Sequence, residues 1–115
     1  MQIVLDPVVE APCCVLGTVD LDQAEAERIA PMFKALGDPV RLRLAALIAA
    51  GGRVCVCELT GNFDLSGPTI SHHLKTLREA GLVDCERTGT WVYYWIRPES
   101  LQLLAGLLQV TGPVG

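Results

Sequence analysis

Apolar residues recur along this chain at helical spacing through most of its length and give way to a β-prone stretch near residue 90. Ile29, Met32, Phe33 and Leu36 keep the three-and-four spacing of one helical face, and Asp20 with Gln23 three residues on resembles a capping box that starts that helix. Pro31 lies inside the pattern and predicts a kink or a split. Asp38-Pro39 is a second start signal, an N-cap followed by proline at the first helical position. From it Val40, Leu42, Leu44, Leu47 and Ile48 run to a stop at Gly51-Gly52, too apolar all round for a surface helix. A short helix is expected over about Val56 to Asn62. Ser66 caps the next, with Pro68 in its first turn, Ile70, Leu74 and Leu77 as its buried stripe and Gly81 as its stop. Leu82–Arg87 and Thr90–Ile96 read as two strands of a hairpin turning at Thr88-Gly89, and Pro98 opens a last helix carrying Leu101, Leu104, Leu107 and Leu108.

The order is helix, helix, short helix, capped helix, hairpin, helix. Two helices joined by a tight turn and followed by a β-hairpin are the parts of a winged helix-turn-helix, mainly α with a β-hairpin wing, whose second helix enters the DNA major groove. Residues 1–19, with Pro7, Pro12, Gly17 and no helical period, read as an extended arm carrying Cys13-Cys14; residues 20–110 form the domain and 111–115 a tail. The arm is apolar for a free tail (Ile3, Val4, Leu5, Val8, Val9), which predicts that it packs on something.

A chain of 115 residues makes one domain. A domain of that size buries roughly two-thirds of its unfolded surface, so a partner subunit is expected to help. No apolar run approaches the roughly 18 residues of a membrane span. The N-terminus has no basic region and carries Asp6 where a leader would stay apolar, which predicts a cytoplasmic protein with reduced thiols. Five cysteines, an odd number, then favour metal or redox chemistry over a disulfide framework. The net charge of −4 counts against nucleic acid until it is mapped. Residues 1–30 hold six acids and one base, and the remaining 85 hold eight bases and seven acids, leaving room for a local basic footprint.

Thr69, Ser71, His72, His73, Lys75 and Thr76 crowd the polar face of the capped helix, small or planar hydrogen-bonding groups that can approach base edges and phosphates. Lys75, Arg78 and, on the hairpin, Arg87 supply cations for phosphates. Ser66 at the cap and Thr88 at the hairpin tip complete the candidate DNA-binding set. The bland alternative is a solvated helix face with one histidine packed beneath it; the cation at a tight hairpin tip, the shape of a wing, weighs against it.

Ala35-Leu-Gly-Asp-Pro-Val-Arg-Leu-Arg-Leu44, Cys55-Val-Cys-Glu-Leu59, the run from Leu65 through Ser71-His-His-Leu74 to Val83, and Gly89-Thr-Trp-Val-Tyr-Tyr94 together resemble the ArsR/SmtB family of metal-sensing repressors. The resemblance covers about residues 21–110. It implies a homodimer, joined through N- and C-terminal helices, that leaves double-stranded operator DNA when a toxic metal or metalloid binds. Gly67 stands where the family usually has a DNA-contacting glutamine, so that contact is not carried over. The C-terminal helix has no histidine, so the histidine–carboxylate zinc site of other members is absent from it.

Cys55 and Cys57 sit at the expected start of the short helix, where the positive end of the dipole stabilises thiolates. Residues two apart in a regular helix point about 200° from each other. Both can hold one ion only if that turn is non-helical or distorts on binding. The family's arsenic-sensing pattern often adds a third cysteine three residues later, here Thr60, so the missing ligand must come from elsewhere. Cys13 and Cys14 resemble the N-terminal cysteines that complete the site in some members, within a subunit or across the dimer. Soft thiolates select soft ions, As(III) or Sb(III), with Cd(II) or Pb(II) as the alternative on four thiolates. Cys85 alternates with Val83 and reads as packing; His72 and His73, adjacent on a helix and with no carboxylate cluster, read as DNA contacts or local hydrogen bonds.

No glycine-rich phosphate loop, paired-carboxylate constellation or cysteine–histidine dyad assembles from the sequence, so no enzyme and no organic cofactor is expected. The expected function is a transcriptional repressor of a metalloid-resistance operon released by arsenite or antimonite. The rivals are a cadmium/lead sensor of the same fold, a repressor switched by thiol–disulfide exchange, and a winged helix that binds another protein.

Overall fold

The computed structural model describes residues 15–16 and 21–111. The chain runs β1 (Val15–Leu16), α1 (Gln23–Leu36), α2 (Pro39–Gly51), β2 (Arg53–Cys55), α3 (Val56–Thr60), α4 (Gly67–Glu79), β3 (Val83–Thr88), β4 (Trp91–Ile96), α5 (Pro98–Leu108) and β5 (Val110–Thr111). This is the mainly helical winged helix-turn-helix that the apolar pattern predicts, with α3 and α4 as the helix pair and β3–β4 as the wing.

Helix α1 starts later than its apparent signal. Its cap is Asp22, whose carboxylate accepts from the Glu25 backbone N at 2.8 Å, and not Asp20. Asp22 wins because the side-chain oxygen of a cap must reach the N–H groups of the first turn, and a second acid stood two residues nearer to it. Pro31 does not split the helix. It lies on the exposed face, as does Glu27, whose carbonyl loses its partner there and can turn to water. Helix α2 begins as read, with Asp38 accepting from Val40 N and Arg41 N. It is not buried throughout, however: Leu44, Ala45 and Ile48 face the core while Leu42 is 55% exposed.

The core lies where α1, α2, α4, α5 and the sheet converge. Ile29, Leu44, Ile48, Leu59, Ile70, Leu74, Leu77, Leu82 and Val83 are almost wholly buried in it. Every member of the α4 stripe is therefore anchored, which fixes how the polar face of that helix points outward. The buried Ser100 of α5 donates to the Gly81 carbonyl and ties α5 to the turn after α4.

The wing is part of a three-stranded antiparallel sheet in the order β2-β4-β3. Thr88 pairs with Trp91, so the turn residues are Gly89-Thr90 and not Thr88-Gly89. Gly89 takes φ 64° at the first turn position, where two-residue hairpins ask for glycine. The strand β2 was not expected; three residues carry too little pattern to be told from the end of a loop. Its pairing sets Cys55 opposite Tyr93. Val15–Leu16 pairs antiparallel with Val110–Thr111, whereas Cys13, Cys14 and the rest of the arm lie outside the described residues.

Candidate thiol site and nucleic-acid interface

Cys55 ends β2 and precedes the first helical residue of α3, with an extended backbone at φ −72° and ψ 142°. It is the N-cap. Its Sγ accepts from Cys57 N at 3.4 Å, and the Glu58 carboxylate reaches back to accept from Cys55 N at 3.1 Å. That is a capping box with sulfur in the position usually held by a serine hydroxyl. Because Cys55 lies outside the helix, the 200° divergence of a regular turn does not apply. The two sulfurs stand 2.6 Å apart, with Cys55 buried and Cys57 exposed. Non-helical backbone is therefore what lets this pair converge.

The expected lowering by the helix dipole is not found at Cys57. Its thiol is raised above the ordinary value, first by its hydrogen bond with Cys55, then by burial and by the repulsion of Cys55 and Glu58. A five-residue helix has little dipole to offer, and its cap brings a carboxylate to the same turn. Thr60, at the third family position, donates its hydroxyl to the Cys57 carbonyl. Among the described residues no three His, Cys, Asp or Glu side chains converge on one point. Cys85 is half-buried and lies opposite Tyr94 on the sheet.

A cavity of about 380 Å³ opens beside the thiols, lined by Cys55 and Cys57, by Ser71 and Leu74 of α4, and by Trp91 and Val92 of the wing. The thiol pair, α4 and the wing thus share one wall.

On α4, Ser66 accepts from Thr69 N at 3.3 Å, and its hydroxyl lies 2.8 Å from that of Thr69, so both are engaged at the cap while remaining exposed. Ser71, His72, Lys75 and Arg78 are exposed, as are Arg87 and Thr88 on the wing. Among the described residues the three ion pairs are Arg28–Glu25, Arg53–Glu86 and Arg97–Glu99, none of which uses Lys75, Arg78 or Arg87. Three uncommitted cations therefore flank the polar face, as phosphate contacts require. Thr76 is half-buried and donates to the His72 carbonyl. His73 differs from its neighbours: it is half-buried, with Nδ1 3.2 Å from Nη1 of Arg41. Nothing in the sequence separated the two adjacent histidines except their phase on the helix, with Ile70, Leu74 and Leu77 one to four positions away. Arg53 was also missed; it lies over the Tyr93 and Trp95 rings at 4.9 and 5.0 Å and caps the outer sheet face.

No helix among the described residues is long and apolar enough to cross a membrane. Residues 38–84 match the family described as bacterial regulatory protein, arsR family. An arsenic resistance transcriptional regulator of Pseudomonas putida is 49% identical over 78 residues, spanning 68% of this chain and 61% of that protein. A cadmium resistance regulatory protein homologue of Staphylococcus aureus is 33% identical over 85 residues, spanning 74% of this chain and 70% of the other. The homodimeric winged helix-turn-helix DNA-binding domain of a possible ArsR-family regulator from Mycobacterium bovis superposes with a TM-score of 0.64 at 30% identity, over 79% of this chain and 84% of that one. The matched segment runs from the Asp38 cap through the thiol pair and α4 to the start of the wing, the stretch that carries the converging sulfurs, Lys75 and Arg78; by fold, by motif and by relationship, this chain is a transcriptional regulator of the ArsR family.

Proposed function

We propose that this chain is a homodimeric repressor of a metalloid-resistance operon that leaves its operator when arsenite or antimonite binds its thiolates. The observation that carries the reading is the extended Cys55, which turns a diverging pair into two converging sulfurs beside Ser71 and Trp91. The donor set fits a soft, thiophilic ion. Two sulfurs sharing an ion at metal–sulfur distances of about 2.3 Å stand roughly 3.5 Å apart, a spacing that two side chains in contact can take up. Trivalent arsenic takes three thiolates, Cys55 with Cys13 and Cys14, and Cys57 is the alternate third ligand or a fourth for larger ions. Binding displaces thiol protons, so affinity falls as pH falls, the more so for the raised Cys57.

In this reading Thr69, Ser71 and His72 face base edges, while Lys75, Arg78 and Arg87 take phosphates. The dimer sets two α4 helices about one helical turn of DNA apart, roughly 34 Å. An ion that draws the arm onto α3 changes the wall shared with α4 and the wing and so weakens DNA binding; by linkage, DNA weakens ion binding by the same factor.

A cadmium or lead response is the second reading, favoured by the relationship to the cadmium regulator homologue and by a count of four thiols when Cys57 joins. The deciding experiment is release of bound duplex titrated separately with arsenite, cadmium and peroxide, on wild type, Cys85→Ser and a Cys13→Ser, Cys14→Ser double variant. Arsenite release in wild type and Cys85→Ser but not in the double variant supports the proposal. Full release in the double variant removes the arm from the site, and release by peroxide alone makes the protein a redox switch.

A further inference from the structure

We propose that His73 positions the recognition helix and reads no base. It acts as the neutral hydrogen-bond acceptor through which Arg41 locks α4 onto the junction of α1 and α2. The proposal rests on the reading of α4 as the groove-facing helix.

The Arg41 side chain makes contacts to two other elements. Its Nε donates to the Ala35 carbonyl at 2.6 Å, one of the last carbonyls of α1 and so without an intrahelical partner. Its Nη1 meets His73 Nδ1 at 3.2 Å. Its backbone N is held by Asp38, the α2 cap, at 3.1 Å. Asp38 is itself held below the ordinary carboxyl value, first by the hydrogen bond from Arg41, so its charge persists across the working range. One guanidinium therefore joins the end of α1, the start of α2 and the middle of α4.

The chemistry of the pair is one-directional. A guanidinium carries five donors and no acceptor and does not deprotonate in proteins. His73 Nδ1 must then be the acceptor, which places the ring proton on Nε2 and requires the neutral imidazole. Protonation fills Nδ1, deletes the bond and sets two cations against each other. The other charged groups on the surrounding elements do not replace the contact. Asp38 of α2 is committed to two backbone N–H groups, Lys34 of α1 adds positive charge, Glu58 of α3 is engaged with Cys55 N, and Glu79 lies on α4 itself with Lys34 and Arg41 around a cavity of about 310 Å³. His72, with its ring 6.0 Å from that of His73, is exposed. Its protonation adds a cation facing DNA and so works in the opposite direction. The lock is therefore closed with the neutral ring and open with the protonated one.

The test uses the full chain and a duplex selected from a random-sequence pool at pH 8, with affinity followed at constant ionic strength from pH 8 to 5.5. His73→Asn keeps an uncharged acceptor at the place of Nδ1, and His73→Leu keeps the volume without it. Wild type is expected to lose about tenfold more affinity over the range than His73→Asn. His73→Leu should be weak and flat throughout, and His72→Ala should keep the acid loss. An acid loss in His73→Asn as steep as in wild type overturns the proposal, as does wild-type affinity in His73→Leu at pH 8. Ring ¹⁵N spectra of the unmodified protein decide the matter even if both variants misfold: the Nε2–H tautomer supports the lock, and the Nδ1–H tautomer overturns it. A pool that yields no duplex overturns the DNA reading of α4, and the positioning role with it, whichever tautomer is found.

Discussion

Replacing Cys55 with serine separates its role as the α3 cap from the ligand role proposed for it. As a cap, Cys55 offers a sulfur at 3.4 Å from Cys57 N, a weak acceptor at long range. A serine oxygen accepts the same bond better, and serine caps outperform apolar residues by about 1 kcal/mol. Against that, the side chain is only 6% exposed, and the hydroxyl must be buried there. A buried hydroxyl costs about 1–3 kcal/mol when unpartnered and much less when it keeps its bond. The two effects nearly cancel, so Cys55→Ser should fold with stability within about 1 kcal/mol of wild type, whereas Cys55→Ala loses the cap and gains nothing. The ligand role does not survive the exchange. At arsenite one hundred times its Kd, a wild-type site contributes about 2.7 kcal/mol; weakened about 100-fold, the same concentration contributes about 0.4 kcal/mol. For a domain of this size each kcal/mol moves the melting temperature by about 4–8 °C, so the arsenite-induced rise should shrink from about 10–20 °C to about 2–3 °C. Thermal melts by circular dichroism, with and without arsenite, measure both effects on one sample. An undiminished arsenite shift in Cys55→Ser refutes the ligand role, and a melting temperature far below wild type without arsenite refutes the capping argument.

Arg87→Ala removes an exposed wing cation that pairs with no acid among the described residues and should weaken specific and random duplexes alike, flattening the salt slope by about one unit; unchanged affinity and slope would mean that the wing does not touch DNA. His72→Ala should relax discrimination at one or two base pairs, by about 1–3 kcal/mol per lost contact, and equal loss on random DNA would make it a phosphate contact instead. Leu74→Ala empties a fully buried position beneath α4 and should cost about 2–5 kcal/mol in denaturant unfolding; a loss under 1 kcal/mol would mean that the helix is not seated on that stripe. Asp38 has its folded pKa below the unfolded value of 3.8, so its stabilisation is present above that value and lost as pH falls through the folded one. Asp38→Asn keeps the cap without the charge and should flatten the melting temperature's acid decline, as melts between pH 5 and 2 would show.

The parts of the fold that were legible are those with repeated spacing or a strong punctuation mark. Ile70, Leu74 and Leu77 declare one face of α4, Asp38-Pro39 declares the start of α2, and Gly89 declares a hairpin, though one residue off in its turn. What stayed hidden depended on neighbours distant in sequence. Strand β2 exists because Arg53–Cys55 finds Trp95, Tyr94 and Tyr93 on β4, and three residues hold no period from which to infer that. The exposed side of α2 was hidden for a related reason: composition shows that a helix is apolar, not which of its faces meets another element. His73 read as the twin of His72 because its partner, Arg41, lies 32 residues earlier.

The hidden strand also accounts for the geometry of the thiols. A cysteine pair two residues apart inside a helix diverges, and the same pair within a strand also stands on one face but extended, about 7 Å apart along the backbone. Placing Cys55 at the end of β2 and Cys57 in the first turn of α3 uses neither geometry. The chain turns between them, and the capping box holds that turn through Cys55 Sγ and the Glu58 carboxylate. An ion that took both sulfurs would share Cys55 Sγ with Cys57 N, because a thiolate sulfur has lone pairs for a metal and an N–H together. Ligand binding and the first turn of α3 would therefore meet at one atom, on the wall that α3 shares with Ser71 of α4 and Trp91 of the wing. A serine at the cap would make a firmer turn with no soft ligand; a cysteine makes a weaker one whose acceptor a thiophilic ion can also reach.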